Sequence, residues 1–196
     1  CLVSCVARFS IPEIKAMTLL GYDACTIGNH DFDAGMENLA TQLTKHARFP
    51  MLVCNYDFSS TPMENKTEPY RVIRKGKLTI GLLGVGIEGK GLIPDNLFGN
   101  TRYLDPVQKA NETAEFLKKS KKCDMVICLS HLGNQYKETD KPSDEILAKE
   151  SENIDLIIGG HTHTFLDQPQ VYKNKNGSDV VVNQVGFAGL ILGRLD

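Results

Sequence analysis

Apolar positions along this chain recur at two spacings, and their alternation predicts a mixed α/β fold. Pro12 followed by Ile14, Met17 and Leu20 reads as a helix with proline in its first turn, stopped at Gly21. Tyr22 to Ile27 then reads as a buried strand. Met36, Leu39, Ala40 and Leu43 put an apolar stripe on a helix over 36–47, and Met51 to Cys54 form a short strand after Pro50. Residues 57–69, rich in Ser, Thr, Pro and Asn, read as a loop. Tyr70 to Arg74 and Leu78 to Val85, separated by Gly76, suggest a hairpin, and a Gly-rich loop follows to Gly99.

Asp105-Pro106 opens the clearest helix, with Val107, Ala110, Ala114 and Leu117 on one stripe. Lys118 to Lys122 crowd its end, where cations suit the helix dipole; they read as a solvated helix end rather than a binding patch. Met125 to Leu129 is a strand, followed by a polar loop, a short helix over 144–149 and a strand from Ile154 to Ile158. Val171 to Lys173 and Val180 to Val185 flank Asn176-Gly177, a tight-turn pair, and so form a second hairpin. Leu190 to Leu195 reads as the last strand. No repeat or linker interrupts the chain, so residues 1–196 read as one domain of βα units and antiparallel hairpins.

Composition adds limits. An apolar content of 41% over 196 residues suits one globular domain. A net charge of −2 gives no global attraction to nucleic acid or an anionic membrane. No apolar run reaches the roughly 18 to 20 residues that span a bilayer. Leu2-Val3-Ser4-Cys5 looks like a lipoprotein cleavage box, but the apolar stretch such a box needs before it is not in this sequence. The six cysteines are too sparse for a disulfide scaffold, and none forms Cys-x-x-Cys. Cys25, Cys54 and Cys128 sit in apolar runs and read as reduced core residues, which leaves the compartment open.

The chemistry concentrates where apolar runs give way to loops. His161 and His163 follow Gly159-Gly160, and His131 ends a second apolar run. Side chains leaving strands at one rim of a sheet converge although the chain separates them. Imidazole is a common ligand for zinc-like ions, so these three histidines read either as metal ligands or as plain loop residues. Asn29 offers a hard carbonyl oxygen, and His30 with Asp33 forms an acid with its orienting carboxylate. The bland alternative is a turn with Asp31 or Asp33 capping a helix. Gly81-x-x-Gly84-x-Gly86 lacks the Lys-Ser/Thr of a P-loop and the spacing of a dinucleotide fingerprint, so it reads as a strand running into a loop.

Ile14-Lys15-Ala16-Met17, Gly21-Tyr22-Asp23, Gly28-Asn29-His30-Asp31-Phe32-Asp33 and Gly159-Gly160-His161-Thr162-His163-Thr164 together resemble the calcineurin-like metallophosphoesterases, within them the 5′-nucleotidase branch. The resemblance covers the chain from Ile11 onward. It implies a sandwich of mixed β-sheets flanked by helices, and two divalent ions such as Zn, Mn or Co that activate water for attack on phosphorus. It implies that Asn29, His131 and His161 bind one metal and His163 the other. It makes His30, oriented by Asp33, the group that stabilises the transition state or leaving group. The substrate it implies is a nucleotide or another phosphoester, and the setting periplasmic or at the cell surface.

The family pattern also begins with an Asp-x-His strand and a Gly-Asp motif whose carboxylate bridges the metals. Residues 1–10 contain no Asp or Glu and have no counterpart in the family. The expectation is therefore a fold lacking its first strands, at most one bound ion, impaired turnover and self-association through uncovered strands. Many 5′-nucleotidases also carry a base-binding C-terminal domain, which this chain does not include. The alternative function is a non-catalytic domain with one weak metal site. Reading the codons upstream of Cys1 for an Asp-x-His strand discriminates the two.

Overall fold

The computed structural model describes residues 11–138 and 141–194. Two readings made from the sequence, the lipoprotein-like box and the unmatched segment 1–10, lie outside the described residues. Helix α1 spans Ile11–Leu19 and α2 spans Met36–His46, close to their predicted ranges. Ile14 and Met17 are buried between them, and Thr18 Oγ1 donates to the His46 carbonyl at 3.0 Å. Leu20 departs from the predicted stripe. It lies past the end of α1 and is 71% exposed.

The main sheet has six strands: β4 (Tyr70–Lys75), β5 (Leu78–Val85), β7 (Met125–Ser130), β8 (Leu156–Ile158), β9 (Gln170–Lys173) and β10 (Asp179–Asn183). Their order is β4-β5-β7-β8-β10-β9. The four inner strands run parallel, and each edge is closed by an antiparallel hairpin partner. Inner strands of this kind are apolar on both faces. Leu83, Val85, Val126 and Cys128 pack under α4 (Pro106–Lys119) and α5 (Asp144–Glu150). Ile80, Leu82, Ile127 and Leu129 pack on the other side against Ala24 and Leu52.

Both sheet-covering helices start where capping chemistry dictates. Asp105 accepts from the Gln108 N–H at 2.9 Å, and Ser143 Oγ accepts from the Ile146 N–H at 3.2 Å. The second hairpin closes as Asn-Gly predicts. Gly177 takes φ +76°, and Asn174 Oδ1 accepts from the N–H groups of Asn176 and Ser178.

A second layer lies over the sheet. Strand β1 (Cys25–Thr26) pairs in parallel with β2 (Met51–Leu52), while β3 (Tyr56–Asp57) pairs with β6 (Arg102–Tyr103). The predicted strand from Tyr22 to Ile27 therefore shrinks to two residues. Its would-be partner turns away after Leu52, because the Cys54 N–H donates to the Gly84 carbonyl of β5 at 2.8 Å. Side-chain bulk at Gly84 would collide with the Leu52 carbonyl, so this approach requires glycine. Gly81 packs on Leu117, and the Gly86 N–H donates to Asn55 Oδ1 at 2.8 Å; the glycine run is a packing feature.

Two further departures follow from packing. Ile154 is buried but precedes β8, which starts only at Leu156. The strand predicted from Leu190 to Leu195 does not form over 190–194, and Leu195 lies outside the described residues. Leu190 and Leu192 are exposed and find no neighbouring strand to pair with among the described residues. Within the predicted Gly-rich loop, Asp95–Phe98 form a short helix α3. Among the described residues no helix is long and apolar enough to cross a membrane.

Candidate metal centre

Parallel strands end at one rim, and ligand sites gather at their carboxyl ends. Here β1 runs out toward Asn29, β7 toward His131 and β8 toward His161. A one-turn 3-10 helix, Asn29–Phe32, turns the first segment inward. Its buried Phe32 stacks edge-on against Phe98 at 5.1 Å and anchors the turn in the core. Asp31 caps the turn by accepting from the Gly28 N–H at 2.6 Å, and burial pushes its carboxyl well above the usual range. A side chain at Gly28 would strike the His131 ring, so glycine there lets the imidazole reach Asn29.

Asn29 Oδ1 lies 3.1 Å from His131 Nε2 and 3.1 Å from His161 Nδ1. The two imidazoles stand 5.2 Å apart at 66°. Burial holds the His131 pKa down to about 3, with neighbouring histidines adding to the effect. Burial, then Lys141, holds His161 down to about 4. Both rings are neutral at pH 7, the form that offers a lone pair to a metal. His131 Nδ1 is buried without a hydrogen-bond partner. Two neutral imidazoles and a carboxamide oxygen around one point fit a borderline divalent cation such as Zn, Mn or Co. Among the described residues no three His, Cys, Asp or Glu side chains form a cluster, because the third donor here is an asparagine.

His30 and His163 stand apart from this triad. His30 is exposed and its Nδ1 lies 3.1 Å from Asp33 Oδ2, the pair that the spacing of three residues suggests. His163 is exposed and stacks on Phe187 at 5.0 Å and 22°. His161 and His163 both hold left-handed backbone, at φ +73° and +55°, which few non-glycine residues adopt.

Several polar residues behind the triad escape a reading of motifs. Asp144, fully buried at the start of α5, accepts from Ser130 Oγ next to His131. Its other oxygen has no partner, and burial pushes the carboxyl up to about 7. Gln184, one residue past β10, is 1% exposed and continues the inward alternation of Val180 and Val182. That alternation was the available signal: a polar residue at an inward position.

The Asp144 shift predicts a pH dependence of stability. Between pH 4 and 7 the unfolded chain has released this proton and the folded chain keeps it. Stability therefore falls as pH rises through that window, by on the order of 4 kcal/mol, and levels off above it. Asp144→Asn is expected to flatten that part of the profile in urea melts from pH 4.5 to 8. A variant whose melts track the parent at each pH would assign the dependence elsewhere.

Comparison with known proteins places this geometry in context. The family model of the calcineurin-like phosphoesterases matches residues 5–165, and so takes in residues 5–10, for which the motifs alone suggest no counterpart. A 5′-nucleotidase of Vibrio cholerae is 32% identical over 157 residues, 77% of this chain and 28% of that protein. An apyrase of Tabanus yao is 36% identical over 152 residues, 76% of this chain and 26% of that protein. The solved structure of a 5′-nucleotidase precursor from Thermus thermophilus superposes with a TM-score of 0.78 at 30% identity. It covers 92% of this chain and 36% of its own, so the chain spans about a third or less of each of these relatives.

Proposed function

Because the chain belongs to the calcineurin-like phosphoesterase family, we propose that it performs metal-dependent phosphoester hydrolysis of the 5′-nucleotidase type. The observation that carries this reading is the convergence of His131 and His161 on Asn29 Oδ1, at 3.1 Å from each. These three side chains would hold one divalent ion, and His163 would belong to a second. A bound divalent ion lowers the pKa of water and neutralises phosphoryl charge. Burial keeps His131 and His161 unprotonated, so they meet a cation with lone pairs rather than with positive charge. Asp33 orients the exposed His30 ring through Nδ1, which leaves Nε2 as the nitrogen not held by that contact. From there His30 offers a proton to a phosphoryl or leaving-group oxygen.

The relatives named as 5′-nucleotidases support a nucleoside monophosphate as the first substrate to try. The donor set favours a second reading beside it. Asp31 caps Gly28, Asp33 orients His30, and Asp144 accepts from Ser130 with one of its two oxygens. On that second reading, two imidazoles and one carboxamide would make a weak one-ion site, and turnover by the 196-residue chain would be impaired. Phosphate release from a nucleoside monophosphate, measured with added Mn, Zn or Co, tests the class. Release that requires metal and falls in His30→Ala supports hydrolysis at this site, whereas metal-independent release that ignores His30 contradicts it.

The same proposal includes self-association, but not through the uncovered strands expected from the sequence: Ala24 to Ile27, Ile154, Leu156 and Ile157 are buried. The exposed apolar residues are instead Phe165, Phe187, Leu190, Ile191 and Leu192, beyond β8 and β10. Apolar residues grouped in this way are unusual on a monomer. Light scattering at micromolar concentration is expected to give a mass above 21.7 kDa. A monodisperse monomer with a cooperative melt would contradict it.

A further inference from the structure

We propose that Gln184 is a positioning residue for the metal centre: its buried carboxamide clamps Gly160–Thr164 in the left-handed turn that aims His161 at Asn29 and His131. The inference rests on the reading of that triad as a cation site.

The clamp uses every polar atom of the side chain's end. Gln184 Nε2 donates to the Gly160 carbonyl at 2.7 Å. Gln184 Oε1 accepts from the Thr164 N–H at 2.5 Å and from Thr162 Oγ1 at 3.0 Å. One side chain thus grips the loop before His161 and on both sides of His163. Thr162 Oγ1 also accepts from the Asn134 N–H at 2.9 Å, which joins the loop to the segment that follows His131. The backbones on either side are in register. The Gly159 N–H donates to the Asn183 carbonyl and the Gly186 N–H to the Thr164 carbonyl, each at 2.8 Å.

The chemistry selects a carboxamide. The loop presents one buried carbonyl that takes a donor and two half-buried donors that take an acceptor. Glutamine supplies both functions, while a carboxylate supplies only acceptors. Without the clamp the Gly160 carbonyl and the Thr164 N–H lose the partner that Gln184 supplies, and the strained backbone at His161 and His163 loses what holds it. The loop then relaxes toward ordinary dihedrals, and the His161 ring leaves Asn29. Partners behind a metal ligand commonly set affinity by 10- to 100-fold.

The test uses the full 196-residue chain. Gln184→Ala, Gln184→Glu and Thr162→Val are expected to weaken Mn2+ binding, read by calorimetry, by roughly 10- to 100-fold. Thr162→Ser, which keeps the hydroxyl, is expected to retain the parent affinity. In metal-free protein, nitrogen-15 imidazole spectra are expected to show shifted His161 and His163 resonances in the weakened variants, with His46 unmoved. Folded Gln184→Ala or Thr162→Val with parent Mn2+ affinity and unshifted His161 and His163 signals would overturn the proposal. Should Gln184→Ala fail to fold, the Thr162→Val and Thr162→Ser pair decides. A parent chain that takes no Mn2+ would sink the cation reading itself, and the metal-free imidazole shifts would then decide the clamp alone.

Discussion

After dialysis the 196-residue chain is expected to retain no more than one divalent ion, and His161→Ala is expected to lose that one. Asn29, His131 and His161 would give three protein ligands, enough for a site still open to water. His163 stacks on Phe187 and would offer a second ion a single nitrogen. Removing His161 leaves two donors, one of them a neutral carboxamide. The affinity for Mn2+ or Co2+ should then fall roughly a hundredfold or more, beyond what a supporting partner of a ligand costs. Elemental analysis of dialysed parent and variant checks both statements. Two ions per parent chain, or one retained by His161→Ala, would contradict them.

Turnover by the same polypeptide is expected near background. Residues 1–10 hold no Asp or Glu; Asp31 and Asp33 are engaged with Gly28 and His30, and Asp144 is buried with one oxygen on Ser130. The Asn29, His131 and His161 donors include no carboxylate, so a water molecule at this site alone would not be held by a carboxylate-bridged pair of cations. Lost positioning and lost charge neutralisation together cost several powers of ten in rate. Stopped phosphate-release assays on a nucleoside monophosphate give the measure. Saturable, metal-dependent turnover that vanishes in His30→Ala would show that the present donors suffice.

Where the sequence spoke and where it was silent follows from the range of the forces involved. Helices α1, α2, α4 and α5 were legible because stripe, cap and stop all lie within a few residues of one another. The two hairpins were legible for the same reason, with Gly76 and Asn176-Gly177 between matched strands. Strand β1 was overestimated, because its length is set by where β2 departs, and that departure depends on Gly84, 58 positions beyond Thr26. Leu190 to Leu192 are apolar enough for a strand, yet a strand needs a partner and none of the described strands pairs with them. At the centre, Asn29, His131 and His161 could be named because their motifs sit where strands become loops. Their support could not. Gln184, Thr162 and Asn134 act through contacts 20 or more residues apart, and only the inward alternation of Val180, Val182 and Gln184 hinted at it.

The central claim is that His131, His161 and Asn29 form one cation site, and cobalt spectroscopy tests it most directly. Co2+ titrated into the chain at pH 7 is expected to raise visible ligand-field bands that saturate at one equivalent. Those bands should be strongly reduced in His161→Ala and in His131→Ala, and unchanged in His46→Ala. Bands that persist undiminished in both triad variants, or that never appear in the parent, would contradict the account.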